Sequence, residues 1–287
     1  MSLLSKRWPM VMPKQWLHNY RKMSNRIFVT DWDETATVKD TTGLIAGAAS
    51  RADRGSVPPF SHFSEIYLEA YSTYVAKCVD SCGKRDTLDA EEEFQKGMRS
   101  VELSSISALE QAGYFKGFPM ETFRSLVPQV DLQPGFINFI RRVECPVYVL
   151  SVNWCRSLIE SVLRSHGVEN VTVLANDLET DENSITTGNF DAAFDIRTGY
   201  DKVVELGKLR ALYPQSELFY FGDSSGDVFP ILKADYGGVI TGGKGRKVLD
   251  RLAGVYSLQD NNFVSSNSHD LKVFQATWHD LDAAWFK

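Results

Sequence analysis

Five short apolar runs constrain this chain more than any other feature. "RIFVT" (26–30), "CPVYVLS" (145–151), "VTVLA" (171–175), "ELFYF" (217–221) and "GGVIT" (237–241) are rich in β-branched or aromatic residues and bounded by polar ones. Each reads as a strand buried on both faces. Helical periodicity separates the later runs, over about 154–167, 201–213 and 226–234. Strands alternating with helices predict an α/β fold, a parallel sheet covered on both sides.

The interval 47–130 breaks that alternation. Phe63, Ile66, Tyr67, Ala70, Tyr71, Tyr74 and Cys78 fall at the one-sided spacing of an amphipathic helix. A second helix is expected over about 89–112, with Phe94, Met98, Val101, Ala108 and Leu109 on one face, and a short third one between Pro119 and Pro128. The domain reading is therefore a basic arm at 1–24, a core made of 25–46 with 131–287, and an inserted all-helical cap at 47–130. The aromatic stripe is expected to form the interior of that cap. "EEE" (91–93) reads as a solvated acidic helix start that suits the helix dipole. After the polar loop "QDNNFVSSNSHD", the segment "FQATWHDLDAAWF" is expected to be a helix docked by Trp278 and Trp285.

Composition excludes several classes. With 287 residues, 43% hydrophobic and 24% charged, the chain is an ordinary globular one, and no apolar run has the ~18 residues needed to cross a bilayer. A net charge of −6 and a pI near 5.5 argue against nucleic acid as partner. Cys78, Cys82, Cys145 and Cys155 have no CxxC or histidine spacing for zinc and are expected to be reduced thiols. A cytoplasmic location follows as the expectation. The alternative is mitochondrial, because residues 1–26 contain Lys6, Arg7, Lys14, Arg21, Lys22 and Arg26 and no acid.

The chemistry sits at the strand ends. Asp31 follows the first run, Ser151 closes the second and Gly222-Asp223 follows the fourth. In open parallel sheets ligands bind at the carboxyl ends of strands, so these segments converge, joined by Lys202 at the mouth of a helix. Asp31, Asp33, Asp223 and Asp227 would crowd negative charge into one cleft, which calls for a hard cation such as Mg²⁺. Lys202 would keep a nearby aspartate ionised, while Ser151, Asn153 and the N–H groups of the following helix offer an anion cradle. An ionised Asp31 suits nucleophilic attack on phosphorus, and Asp33 suits general acid and base work with only its backbone carbonyl toward the metal.

"DWDET", "VYVLS", Lys202 and "GDSSGD", in that order, resemble the four motifs of the haloacid dehalogenase superfamily. The resemblance implies a Rossmann-like core and Mg²⁺ held at Asp31, Asp33 and Asp223 with Asp227 supporting. It also implies an Asp31 nucleophile, an Asp33 acid/base, and Ser151 and Lys202 on the phosphate. A helical insertion between the first two motifs resembles the C1 cap class of phosphoserine phosphatases and pyrimidine 5′-nucleotidases. "TATVKDTTGLIA", "GYDKV" and "FGDSSGDVFPILKADYGGVI" are similar to the phosphatase domain of plant thiamine monophosphate phosphatases. The expected function is hydrolysis of a small phosphorylated metabolite through an aspartyl-phosphate. A phosphomutase of the same superfamily and a non-catalytic binding module are the alternatives.

Other motifs fail on their residues. A calcium loop starting at Asp31 needs Gly and Glu where Ala36 and Thr42 stand. "GVITGGKG" (238–245) lacks the hydroxyl of a P-loop and reads as a turn. Lys208 would lie nearly two turns along its helix, which favours Lys202. Phe63, Tyr67, Tyr71 and Arg99 are the cap residues that could face a substrate, and His62 opens the first cap helix.

Overall fold

All five apolar runs become neighbouring strands because none has a polar face to leave in water. The computed structural model describes residues 25–50, 55, 57–82, 85–258, 263–264 and 271–287. The basic arm at 1–24 and most of the polar loop before 271 lie outside the described residues. Strands β1 (Arg26–Thr30), β2 (Val147–Leu150), β3 (Val171–Leu174), β6 (Glu217–Gly222) and β7 (Tyr236–Ile240) are joined by β8 (Gly254–Ser257) and β9 (Lys272–Ala276). They form one parallel sheet of seven strands, in the order β3-β2-β1-β6-β7-β9-β8.

Alternation along each strand splits the core into two layers. Phe28, Val147, Val149, Phe219 and Phe221 face one side, under α5 (Phe136–Arg142), α6 (Arg156–Ser165) and α10 (Trp278–Trp285). Ile27, Val29, Tyr148, Leu150, Leu218 and Tyr220 face the other, under α7 (Gly199–Leu212), α8 (Val228–Lys233) and α9 (Arg246–Leu252). Trp278 closes the first layer, with its ring against Phe28, Phe136, Phe139 and Phe221. Its indole N–H donates to the Thr35 carbonyl at 2.8 Å, tying the chain's last helix to the loop after β1.

Between β1 and β2 lie α1 (Thr42–Ala48), the long pair α2 (Phe60–Cys82) and α3 (Leu88–Gln111), and the short α4 (Glu121–Arg124). Thr87 caps α3 by accepting from the Ala90 N–H. Two expectations for this insertion change. Only Phe63 of the α2 stripe is fully buried, and Tyr71 is 38% exposed, because two helices alone leave part of an apolar stripe uncovered. Glu91 is not solvated: it is 0% exposed, 3.4 Å from Arg85, and accepts from Gln95 Nε2 at 2.9 Å. No helix among the described residues is long and apolar enough to cross a membrane.

Several elements escaped the sequence reading, among them β8, α1, α5 and α9. A two-stranded antiparallel hairpin, β4 (Leu178–Thr180) with β5 (Thr186–Phe190), buries Thr186 against the segment that follows α3. There Gly117 N–H donates to Thr186 O at 2.7 Å and Phe118 N–H to Thr186 Oγ1 at 2.9 Å. Residues 272–276 are strand β9 rather than the start of a helix, inserted between β7 and β8. The helical part of the tail begins only at Trp278, where Thr277 and Asp280 form a capping box.

Candidate active site

Strand order brings the functional residues together. β1 lies between β2 and β6, so the residues leaving their carboxyl ends, Asp31, Ser151 and Asp223, stand side by side. The Asp31 N–H donates to Phe221 O at 2.9 Å, and the Ser151 N–H to Leu174 O at 3.0 Å, which fixes where each side chain starts. All three are buried, with exposures of 5% or less.

Lys202 arrives from the other side of the sheet on the first turn of α7, which Thr198 and Asp201 cap reciprocally. Its ammonium lies 2.8 Å from Asp31 Oδ1 and 2.7 Å from Asp227 Oδ1. Lys208 pairs with Glu205 instead, its side chain 48% exposed, so Lys202 is the lysine that meets Asp31. Close backbone approach makes the junction possible. A Cβ on Gly199 would stand 2.0 Å from the Gly226 carbonyl oxygen, and one on Gly222 would stand 2.5 Å from the Asp227 carboxyl carbon.

Asp227 is the most fully bonded member. It accepts from Tyr220 OH at 2.6 Å, Ser224 Oγ at 2.7 Å and the Ser224 N–H at 3.0 Å, besides Lys202. Burial alone would raise its pKa, but Lys202 and these donors outweigh burial and hold the carboxyl below its usual range. Asp31 goes the other way: burial first, then the Asp227 charge, push it well up, and Lys202 offsets only part. Asp223 is pushed up to about 7 by burial and by Asp227. Burial also works against the Lys202 cation, yet Asp227 and Asp31 together raise its pKa.

Asp31, Asp223 and Asp227 each present an oxygen within 4.8 Å of the others. When all three are ionised, the single ammonium leaves two negative charges unbalanced. Asp31 Oδ1 is buried against the Lys202 ammonium, 2.8 Å away. Asp223 Oδ1 accepts from Thr35 Oγ1 at 3.2 Å. Hard oxygen donors with this excess charge fit a divalent cation of the Mg²⁺ type, with Asp31 and Asp223 as the holders and Asp227 as the residue that aligns them.

The Asp33 carboxylate stands outside that group of three. It accepts from the Thr41 N–H at 2.8 Å, Thr41 Oγ1 at 2.6 Å and Asn153 Nδ2 at 2.8 Å. Burial, then Asp40, raise Asp33 to about 6, against the pull of Asn153 and Thr41. Asn153 is thus committed to holding Asp33 rather than free to line an anion cradle. The α6 N-terminus is closed as well, because Asp177 accepts from Ser157 Oγ at 2.8 Å and from its N–H at 3.4 Å.

Thr41, Tyr220 and Thr35 were not assigned specific partners from sequence. Position alone gives one signal: Tyr220 shares strand parity with Gly222, so it points to the same face as the Asp227 approach. "GGKG" is a turn as expected, and it seals the acidic loop by donating Gly245 N–H to Asp223 O at 2.6 Å. Its Lys244 pairs with Glu34, which holds a positive φ of 55° in the loop after β1.

Beside Asp33 opens a cavity of about 420 Å³ between the insertion and the sheet. Thr42 and Val152 on its wall adjoin Thr41 and Asn153, the two residues that hold Asp33. Phe63 and Tyr67 line it. Tyr71 stacks outside on Tyr67, and Arg99 is spent bridging α3 to Asp195 and Asp201.

The family model described as haloacid dehalogenase-like hydrolase matches residues 28–229, more than half of the chain and the whole span from β1 to the start of α8. The chain belongs to this family. It is similar to Cold tolerance protein 1 of Saccharomyces cerevisiae, 24% identical over 84% of this chain and 88% of that one. It also resembles the Bifunctional TH2 protein, mitochondrial, of Arabidopsis thaliana, 24% identical over 78% of this chain but only 41% of that protein. Its fold resembles a substrate-bound phosphoserine phosphatase, with TM-score 0.50, 14% identity, and 79% and 90% of the two chains covered. A HAD family hydrolase of Salmonella enterica serovar Typhi aligns with TM-score 0.53 at 14% identity, over 84% and 76% of the chains.

Proposed function

We propose that this haloacid dehalogenase-like hydrolase is a Mg²⁺-dependent phosphomonoesterase that passes through an aspartyl-phosphate on Asp31. The observation that carries the reading is a buried Asp31 paired with Lys202 at 2.8 Å, with carboxylate oxygens of Asp223 and Asp227 within 4.8 Å. A bound Mg²⁺ supplies charge neutralisation for the approaching phosphate dianion.

An Asp31 oxygen attacks phosphorus and the bond to the leaving alkoxide breaks. Asp33, kept largely protonated to about pH 6, gives its proton to that oxygen. Asp33, now a carboxylate steadied by Thr41 and Asn153, then takes a proton from water, whose oxygen displaces Asp31 from phosphorus. Lys202 holds Asp31 in line through both steps. Ser151, with its hydroxyl at the strand end, binds a phosphoryl oxygen. The helical insertion 47–130 acts as a cap over the 25–46 and 131–287 core, and thiamine monophosphate is the first substrate to test, on the resemblance of the sequence around Asp31 and Asp223.

The experiment is inorganic phosphate release from a panel of metabolite monophosphates with Mg²⁺ and with EDTA. Asp31→Asn is expected to remove turnover while the melting curve persists. Retention of a substantial part of the rate would remove Asp31 as nucleophile.

A further inference from the structure

Arg197 is not used by the chemistry above, yet it is built into the cavity wall as a fixed donor. It is 7% exposed, its Nε donates to Asp195 Oδ1 at 3.0 Å, and its guanidinium lies 4.6 Å from the Phe190 ring centre. The neighbouring Nη1 is buried and has no partner. An unmet buried donor costs about 1–3 kcal/mol, more when charged, so an acceptor arriving there is favoured.

Glu102 on α3 lines the same cavity. It hydrogen-bonds Tyr67, and burial pushes its pKa to about 7 against the pull of Tyr67 and Arg197. Arg197 and Glu102 line the one cavity and attract each other across it without a direct ion pair. Part of the wall is aromatic, where Phe60 and Trp154 meet edge to face at 6.1 Å beside Phe63 and Tyr67, and Asp40, Thr42, Ser64 and Ser105 add polar points. About 420 Å³ suits one small molecule.

Resting on the phosphatase reading, we propose that this cavity selects the leaving alcohol, and that Arg197 and Glu102 together read a flat nitrogen heterocycle through an acceptor and a donor on one edge. A ring-free alcohol would leave the aromatic wall uncovered. Arg197 is then a specificity residue, remote from the reacting atoms.

The test compares ring esters (cytidine 5′-monophosphate, thiamine monophosphate and pyridoxal 5′-phosphate) with ring-free ones (phosphoserine, glycerol 3-phosphate and phosphoethanolamine). At least one ring ester is expected to exceed every ring-free ester in kcat/KM by about tenfold or more. Arg197→Gln is expected to raise KM for that ring ester about tenfold or more while kcat moves less than about threefold. Preference for a ring-free ester, or equal losses on all esters as a merely structural role would give, overturns the proposal. If no ester is hydrolysed, the phosphatase reading fails separately. The cavity is then read by Trp154 fluorescence with cytidine, thiamine and pyridoxine, against Trp154→Phe as control. Binding weakened by Arg197→Gln upholds the proposal, and absence of binding by all three overturns it.

Discussion

Replacing Lys202 by methionine probes the electrostatics of the cluster directly. The side chain is 2% exposed and its ammonium touches two carboxylates, at 2.8 and 2.7 Å. Methionine keeps most of the apolar length, so the change is chiefly the loss of one buried charge. Removing one partner of a buried pair costs about 3–5 kcal/mol, because the remaining charge is stranded. Two carboxylates are stranded here, which places the expected loss toward the upper part of that range at about pH 8 without metal. The variant should also reverse a pH dependence. In the native protein Asp227 lies below its usual range, so its contribution is present above the unfolded value near 3.8 and lost as pH falls through the folded one. Without Lys202, burial dominates and the folded pKa rises above the unfolded one. A raised carboxyl stabilises most at low pH and loses that contribution as pH climbs through its folded pKa. The deficit of the variant should therefore be larger at about pH 8 than at about pH 5. Urea unfolding in EDTA, followed by tryptophan fluorescence, measures both. A deficit below about 1 kcal/mol at the higher pH, or the same deficit at both, would refute the reasoning.

Two further outcomes follow from the site. Because burial and then Asp40 raise Asp33 to about 6, kcat/KM for an alkyl phosphate should fall as pH rises past about 6, and that for p-nitrophenyl phosphate should fall less; a flat alkyl profile would count against the acid role. Asp33→Asn should cost the alkyl ester about 100-fold and the p-nitrophenyl ester much less, so equal losses in kcat/KM would contradict it. Gly199→Ala forces a Cβ within 2.0 Å of the Gly226 oxygen and should destabilise the fold by about 1–3 kcal/mol, and an unchanged melting temperature would show that the Ser225–Asp227 turn yields freely.

The legible parts of the fold were those whose signal is local. β1, β2, β3, β6 and β7 are short apolar runs, and a run buried on both faces announces itself without knowledge of its partners. β9 did not, because "KVFQA" is followed by apolar residues at helical spacing, and only pairing with β7 and β8 makes it a strand. The β4–β5 hairpin was equally hidden. Its residues are mostly polar, and what holds it is a remote segment accepting and donating at Thr186. At the site, parallel strands oblige their carboxyl ends to meet, so Asp31, Ser151 and Asp223 could be placed before any coordinates. Hydrogen-bond choice is not local in this way. That Asn153 serves Asp33, that Asp177 closes α6, and that Glu91 is buried against Arg85 all depend on which side chain arrives within 3 or 4 Å, which spacing does not encode.

The Trp278 indole that holds the Thr35 carbonyl comes 243 residues later in the chain. At about 5–20 residues per second, a ribosome needs roughly 12–50 s to travel from one to the other. During that interval the loop carrying Asp31 and Asp33 exists without its brace, and β7 waits with an open edge for β9. The brace also lies beyond the matched span, which ends at 229. A nascent chain can therefore hold all four acidic residues and the lysine and still lack the support that sets them. Completion of the site is a late event in synthesis, timed by a residue that never approaches the substrate.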